Sequence, residues 1–313
     1  MRCLFPLLLA ASTGCGASDI QPVANDGGLS DVGASPFDEG RSPFQAADHC
    51  RTLAPGDHQG AMQKADQHAR ATVNDAGDLS TLRPNSLRPI DAQIKRKTTA
   101  PGVGFVQVVT LVGNAALTTP YYHEPSTEAL TDDTKLPTIA GSEVFAGLSG
   151  EIEACCRAFL TAHAEGNVQE RLEQLLGLVH PANKVGFIAL WVDPNDLLRP
   201  CPDPSTGTVS CDDGPLKDVV SPQRFQHPGF DAGFPSWYRS WVGKTFDTYE
   251  AEGYGDAGLS KYYPFTGLGY SYDWANATSR PYGTSEYVVL KGSRYVYDGP
   301  VRGFRTTADY CRP

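Results

Sequence analysis

The chain has 313 residues, of which 40% are hydrophobic, so its length and composition allow one folded domain or two. Its formal net charge is −10 at pH 7, and no basic, aromatic stripe offsets that charge. We therefore do not expect the protein to bind nucleic acid or anionic lipid head groups. The 24 prolines and 32 glycines indicate many loops.

The first residues have the pattern of a bacterial secretion signal. A short apolar run from Leu4 to Ala11 follows the single basic residue Arg2 and leads to Ser12-Thr13-Gly14-Cys15. The run is too short to span a bilayer but suits the core of a signal peptide. We therefore expect a signal peptide over residues 1–14 and a lipidated Cys15 that anchors the exported protein in a membrane. The alternative is an ordinary signal peptide that is cut nearby.

The rest of the chain divides by composition. Residues 15–45 are rich in Gly, Ser, Asp and Pro, which is typical of a flexible tether. Residues 46–103 remain polar and are expected to be partly irregular, held through Cys50. The compact domain is expected over residues 104–313. The sequence thus predicts a periplasmic or cell-surface protein attached to the membrane by its lipid.

Six cysteines follow Cys15, and an even number in an oxidising compartment indicates disulfides. Cys201 and Cys211 bracket a loop rich in Pro, Gly and Ser and are expected to close it. Cys155 and Cys156 are adjacent on a predicted helix, where their side chains diverge, so they should not bond each other. Their partners are then Cys50 and Cys311, one each, in an order that the sequence leaves open.

Two helices and several strands are predicted between these cysteines. The first helix spans Glu151 to Ala164 with Ser149 as its cap, and the second begins at Asn167, where Glu170 completes a capping pattern. The β-branched runs Phe105–Val112 and Val185–Val192 predict buried strands. The segments Glu286–Leu290 and Tyr295–Asp298 predict a hairpin around the intervening turn. Mixed strands with a helical pair indicate an α+β fold, a single exported domain stapled by disulfides.

Acidic residues after the second strand are weak catalytic candidates. Asp193 and Asp196 lie in Asp-Pro-Asn-Asp-Leu-Leu-Arg. Two aspartates of this kind can act as a general acid and base. The structural interpretation is that Asp193 caps a helical turn and that Asp196 pairs with Arg199 at i,i+3.

Two histidines are the other weak catalytic candidates. His123 follows the first predicted strand, and His180 lies just before the second. They are 57 positions apart and form no ligand motif, and the chain has no Cys-x-x-Cys pair. No metal site and no cofactor is expected.

An aromatic segment near the C-terminus is the most distinctive stretch of the chain. Tyr270, Tyr272 and Trp274 follow two glycines and are the candidate binding residues, with flat rings for stacking on sugars or peptides. The alternative is that these rings fill the core.

Several blocks in one order resemble a family of uncharacterised secreted bacterial proteins. The blocks cover roughly residues 150–313: Glu173–Leu178, Trp191–Asp203, Tyr263–Trp274, Glu286–Val289 and the closing Tyr310-Cys311. The resemblance implies an exported domain that carries disulfides, and it implies no activity.

Two functions follow as hypotheses. The first is an envelope lipoprotein with a non-enzymatic binding or structural role, whose partner is a glycan or a protein of the envelope. The second is an envelope hydrolase that acts on glycan or peptide through Asp193 and Asp196 beside an aromatic platform. An enzyme should show converging titratable groups in a pocket, whereas a binding module should show an exposed aromatic patch.

Overall fold

The computed structural model describes residues 50–51, 87–92, 94–113, 132–140, 143–178, 182–211, 233–238, 266–276, 282–299 and 302–312. The chain divides into two units, Met1–Asp38 and Glu39–Pro313, and every described residue belongs to the second. Of the helices in these ranges, none has the length and apolar character needed to cross a membrane.

The described residues form a mixed α+β structure, as the sequence predicts. The strands are β1 (Val106–Gly113), β2 (Val144–Leu148), β3 (Lys184–Val192), β4 (Leu197–Leu198), β5 (Tyr270–Tyr272), β6 (Tyr282–Val289), β7 (Tyr295–Tyr297) and β8 (Phe304–Thr306). The helices are α1 (Ser149–Ala162), α2 (Val168–Leu175) and α3 (Thr307–Cys311), and the described residues 234–238 are also helical. The two predicted buried strands and the two predicted helices are confirmed as β1, β3, α1 and α2.

The strands build one antiparallel sheet, a half-barrel with the order β4-β6-β2-β1-β3-β7. β5 pairs with the first half of β6, and β8 pairs with the first half of β3. The long pairing of β1 with β3 fixes the centre, with Val108 opposite Leu190. Along both strands the side chains alternate between two apolar faces, as period-two geometry requires.

The predicted hairpin between β6 and β7 is wrong. β6 pairs with β2, β4 and β5, whereas β7 pairs with β3 on the far side of the sheet. The connecting turn binds the chain near Ile139 instead: Ile139 N donates to Ser293 O at 3.0 Å, and Gly292 N donates to Ile139 O at 2.9 Å. The local turn signal is therefore real, but the strands that it joins find different partners.

The two faces of the sheet are covered differently. One face packs into a core built from seven strands, all except β5, together with Ile90, Ile94 and Ile139. The other face is covered by the three helices, whose apolar side chains Ile152, Leu172 and Tyr310 meet Val109 of β1 and Phe187 of β3. The helix-covered face contains the candidate site.

Three disulfides hold the helices in place. They join Cys50 to Cys155, Cys156 to Cys311, and Cys201 to Cys211. The first two fix the order that the sequence leaves open, and they tie α1 to residue 50 on one side and to α3 on the other. The third closes the predicted loop.

The helix starts differ from one another. Asn167 caps α2 as predicted, since its side chain accepts a hydrogen bond from Glu170 N at 3.2 Å. Ser149 does not cap α1: it is the first helical residue, and its hydroxyl lies 3.1 Å from the hydroxyl of Tyr310. Because α3 is packed close by, a tertiary contact replaces the expected local one.

A buried ion pair joins α2 to the segment after β5. Arg171 Nη1 donates to Asp273 Oδ1 at 3.0 Å, and Nη2 donates to Oδ2 at 2.6 Å. The Nε of the same guanidinium donates to the Cys50 carbonyl at 3.2 Å. Both side chains are almost completely buried, at 2% and 0% exposure. A bidentate pair of this kind fixes geometry as well as charge.

The region before β1 packs on the same body. Leu87 is buried against Tyr270 and the Cys201–Cys211 disulfide. Arg88 N donates to Ser285 Oγ at 2.7 Å. The described residues from 87 onward therefore contribute to the core, although the sequence places the start of the compact domain at residue 104.

Candidate functional site

A cavity of about 320 Å³ lies on the helix-covered face of the sheet. Its floor is formed by β1, β2 and β6, and its walls come from α1, from the chain after α2 and from the start of β3. The volume is at the lower end of the range of about 300–1,000 Å³ that is usual for small-molecule sites. Apolar side chains make up about half of the lining and polar or charged ones most of the rest; the apolar ones include Val109, Leu111, Phe145, Ile152, Leu176, Leu178 and Phe187.

The floor of the cavity is a row of three cross-strand neighbours. Val109 of β1 pairs with Gly147 of β2, and Gly147 pairs with Glu286 of β6. Directly opposed residues point to the same face of a sheet. Because Gly147 has no side chain, Ile152 can lie over it: a Cβ atom on Gly147 would be only 2.7 Å from Ile152 Cδ1. Glu286 therefore stands beside the glycine, within the lining.

The Glu286 carboxyl is the unusual group of the site. The residue is half-buried, but its Oε2 is shielded from solvent and has no hydrogen-bond partner among the described residues. Burial raises the pKa of Glu286 from its ordinary value to about 8, because the charged form loses hydration without compensation. At pH 7 the group is therefore mostly a neutral carboxylic acid.

Glu151 of α1 is a second buried carboxyl beside the cavity floor, but it is better compensated. Its Oε1 accepts hydrogen bonds from Ser285 N at 3.1 Å and from Ser285 Oγ at 3.3 Å. Burial raises the pKa of Glu151 to about 7, opposed by these two bonds and by the charges of Arg199 and Arg88. This carboxyl connects α1 to β6 and thereby supports the floor.

Three of the hydroxyl groups of the lining, those of Ser271, Thr284 and Ser285, are already engaged. Ser271 Oγ donates to Leu175 O at 2.8 Å and accepts from Thr284 N at 2.8 Å. Ser285 Oγ accepts from Arg88 N and donates to Glu151. Since these groups bind each other and the backbone, they offer Glu286 no donor.

Two other charged residues reach the lining. Glu143 precedes β2, and Lys184 begins β3. Burial lowers the pKa of Lys184, opposed by the charge of Glu173. No ion pair between Lys184 and Glu286 is found in the described structure. The lining therefore holds more carboxyl groups than cationic groups.

The predicted aromatic binding residues lie in the interior. Tyr270, Tyr272 and Trp274 are each 1% exposed. Tyr270 packs in the cluster around Leu87, and Trp274 Nε1 donates to Leu178 O at 3.1 Å. The structure thus agrees with the core interpretation of these rings, and it leaves none of the three with a face open for stacking.

The predicted acidic pair lies away from the cavity. Asp193 Oδ1 accepts from Asn195 N at 2.9 Å and so caps a short 3₁₀ turn, Pro194–Asp196, as the structural interpretation expects. Asp196 is buried at 6% exposure, and neither aspartate belongs to the cavity lining.

The predicted pairing of Asp196 with Arg199 is not formed. Arg199 Nη2 donates to the carbonyls of Arg88 and Thr208, each at 3.1 Å, and the guanidinium lies 5.3 Å from the ring centre of Tyr287. The chain is extended at Leu197 and Leu198, so the i,i+3 spacing of a helix does not apply.

The remaining candidates, Cys15, His123 and His180, lie outside the described residues. Leu178 and Lys184, which flank the segment that contains His180, both line the cavity. Within the described ranges, no group of three or more His, Cys, Asp or Glu residues could hold a metal ion. The lining also contains no histidine in the part that the structure describes.

Comparisons with family models, with curated proteins and with solved structures found no match for this chain. The resemblance to a secreted bacterial family stays a prediction, and the functional interpretation depends on the site itself.

Sequence reasoning missed Glu286 as a site residue. The residue lies in Glu-Tyr-Val-Val-Leu, a run that predicts a strand and nothing more. The available signal was a single ionisable residue at the start of this otherwise apolar run. Such a residue costs free energy when it is buried without a partner.

Proposed function

We propose that the protein is an exported, lipid-anchored binding protein that holds a small molecule in the cavity beside Glu286 and does not catalyse a reaction. The observation that carries this proposal is the cavity, in which the shielded Glu286 Oε2 has no hydrogen-bond partner among the described residues and lies beside apolar side chains. Binding sites commonly combine apolar walls with a few placed polar groups.

The three disulfides support the exported location, because such bonds persist outside the reducing cytoplasm. The lipid anchor at Cys15 rests on the sequence pattern alone. Changing Cys15 to Ser should move the full-length protein from the membrane fraction to the soluble envelope fraction. Unchanged membrane fractionation would contradict the anchor but would leave the binding proposal in place.

The hydrolase hypothesis has less support. Its aromatic platform is buried, and its two aspartates lie outside the lining. A raised pKa alone, as at Glu286, does not make a general acid, because proton transfer also needs a substrate placed within hydrogen-bond reach. We therefore propose binding of a small molecule rather than action on a glycan or a peptide.

Ligand-observed NMR tests the binding role. The full-length protein is mixed with three neutral probes: 2-phenylethanol, indole and cyclohexanol. Saturation transfer to at least one probe is expected in the wild type. Leu178 is half-buried at the cavity wall, so Leu178→Trp should fill the space and abolish the signal without disrupting the core.

The matched control for this variant is Val103→Trp, because Val103 is exposed and does not line the cavity. It should bind the probes as the wild type does. Equal saturation transfer in the wild type and in Leu178→Trp, or none in the wild type, would overturn the proposed function.

A further inference from the structure

We propose that the cavity selects a small primary amine with an apolar body, whose ammonium group pairs with the Glu286 carboxylate. This inference rests on the proposed binding function and names the class of its ligand. The geometry that supports it is a shielded carboxyl oxygen without a partner in the described structure, at the floor of a cavity that also has apolar side chains in its walls.

The first step is the inventory of hydrogen bonds around the floor. Ser271, Thr284 and Ser285 bond to the backbone, to each other or to Glu151. Glu286 Oε2 has no such bond in the described structure. Once Glu286 is ionised, it can only accept hydrogen bonds, so a ligand that pairs with the carboxylate must bring a donor, and an ammonium group brings three.

The second step is the charge of the groups that face Glu286. Glu143 reaches the lining from the chain before β2, Lys184 reaches it from β3, and Glu151 lies under the floor on α1. Lys184 faces the charge of Glu173 and makes no ion pair with Glu286 in the part of the chain described. Glu151 is already opposed by the charges of Arg199 and Arg88. Within the lining itself, an added positive charge would meet two carboxyl groups and one cation, on a protein that is acidic as a whole.

The third step is the shape of the ligand. Val109 lies in the floor with the carboxyl, and Ile152, Leu176 and Phe187 contribute to the walls. These side chains offer dispersion contacts and no hydrogen bonds. An aryl or alkyl group of modest size fits such walls, so the complementary ligand has one charged end and one apolar end.

The fourth step is the proton balance of binding. In the empty protein near pH 7, Glu286 carries a proton because its pKa is about 8. The amine arrives as an ammonium ion. When the ion pair forms, the carboxyl proton leaves to the buffer, so binding releases close to one proton below pH 8. Above pH 8 the carboxyl is already ionised, and the release should fall towards zero.

Isothermal titration calorimetry tests the inference with a matched pair of probes, 2-phenylethylamine and 2-phenylethanol. The wild type should bind the amine about tenfold or more tightly than the alcohol, in line with the strength of charge-assisted hydrogen bonds. Titrations in two buffers of different ionisation enthalpy at each pH, phosphate and bis-Tris at pH 6.5 and borate and bicine at pH 9, give the proton count without a primary amine in the buffer. The expected release is close to one proton at the lower pH and close to none at the higher.

Glu286→Gln should remove the preference for the amine and the proton release while the alcohol still binds. Glu165→Gln is the control, because it makes the same change at an exposed residue outside the cavity. Circular dichroism checks that both variants fold. If Glu286→Gln does not fold, the proton count of the wild type still tests the amine inference.

The outcomes separate the two proposals. Binding of 2-phenylethanol with no preference for the amine, or amine binding without proton release at pH 6.5, would overturn the amine inference and leave the binding function intact. No binding of either probe would count against both.

Discussion

Two buried carboxyl groups on the same side of the sheet have opposite surroundings. Asp273 is fully paired with Arg171 through two hydrogen bonds, and a backbone amide, Ala275 N, donates to it as well at 3.1 Å. Glu286 has one oxygen buried with no partner at all in the described structure. The first arrangement fixes α2 against the chain after β5. The second leaves a carboxyl group whose charged form would be uncompensated until something binds.

The comparison shows why burial of charge alone does not identify a site. A buried charge that the fold itself neutralises is part of the structure, and its removal should damage stability. A buried charge that the fold leaves alone costs stability, and its persistence is a reason to look for a ligand. The two carboxyls therefore predict opposite responses to mutation.

The largest loss of stability is expected from breaking the buried ion pair between Arg171 and Asp273. Asp273→Asn leaves the buried Arg171 guanidinium without a counter-charge, which should lower the free energy of unfolding by about 3–5 kcal/mol. Urea unfolding with the disulfides intact measures the change. The exposed pair of Arg312 and Asp309, at 3.5 Å, supplies the control: Asp309→Asn should cost less than about 1 kcal/mol. Equal costs would contradict the assigned role of the buried pair.

The next largest loss of stability is expected from removing a disulfide that holds the helices. Replacing Cys156 and Cys311 by Ser should cost about 2–5 kcal/mol. Replacing Cys201 and Cys211 should cost about 2 kcal/mol less, because that bridge closes a sequence separation of 10 residues rather than 155. Thermal unfolding of the two double variants gives the comparison. A reversed order would show that loop closure does not dominate.

The sequence predicts the parts of this fold that depend on local patterns. β1 and β3 are runs of β-branched and apolar residues, and the cap at Asn167 needs only the residues around it. The disulfide partners follow from the helical geometry of Cys155 and Cys156, apart from their order.

The parts that depend on distant pairing were not predictable in the same way. The turn at Gly292 is present, yet β6 and β7 lie on separate parts of the sheet. The site also depends on distant pairing, because Val109, Gly147 and Glu286 come together only through the register of three strands. No local signal in the sequence fixes that register.

A smaller change in stability, which depends on pH, is expected from the Glu286 carboxyl. The folded pKa of Glu286 is about 8, above its ordinary value, so the group favours the folded state at low pH and loses that effect as pH rises to 8. Relative to Glu286→Gln, the wild type should become less stable between pH 5 and pH 8, by on the order of 1–2 kcal/mol after allowance for its partial exposure. Above pH 8 the difference should stay constant.

Urea unfolding at several pH values measures this difference. Glu151, with a pKa of about 7, acts in the same direction in both proteins and cancels in the comparison. Glu165→Gln should follow the wild type at every pH. A stability difference that does not vary with pH would show that Glu286 titrates alike in the folded and unfolded states.

The most direct test of the account is the titration of Glu286 itself. In protein labelled with ¹³C at the glutamate carboxyl carbon, the resonance that disappears in Glu286→Gln is followed from pH 3 to pH 10. The account predicts a midpoint near 8 in the free protein. A midpoint near 4.5, the ordinary value for glutamate, would mean that the carboxyl is hydrated or paired, and it would contradict the central claim that the fold leaves this group for a ligand.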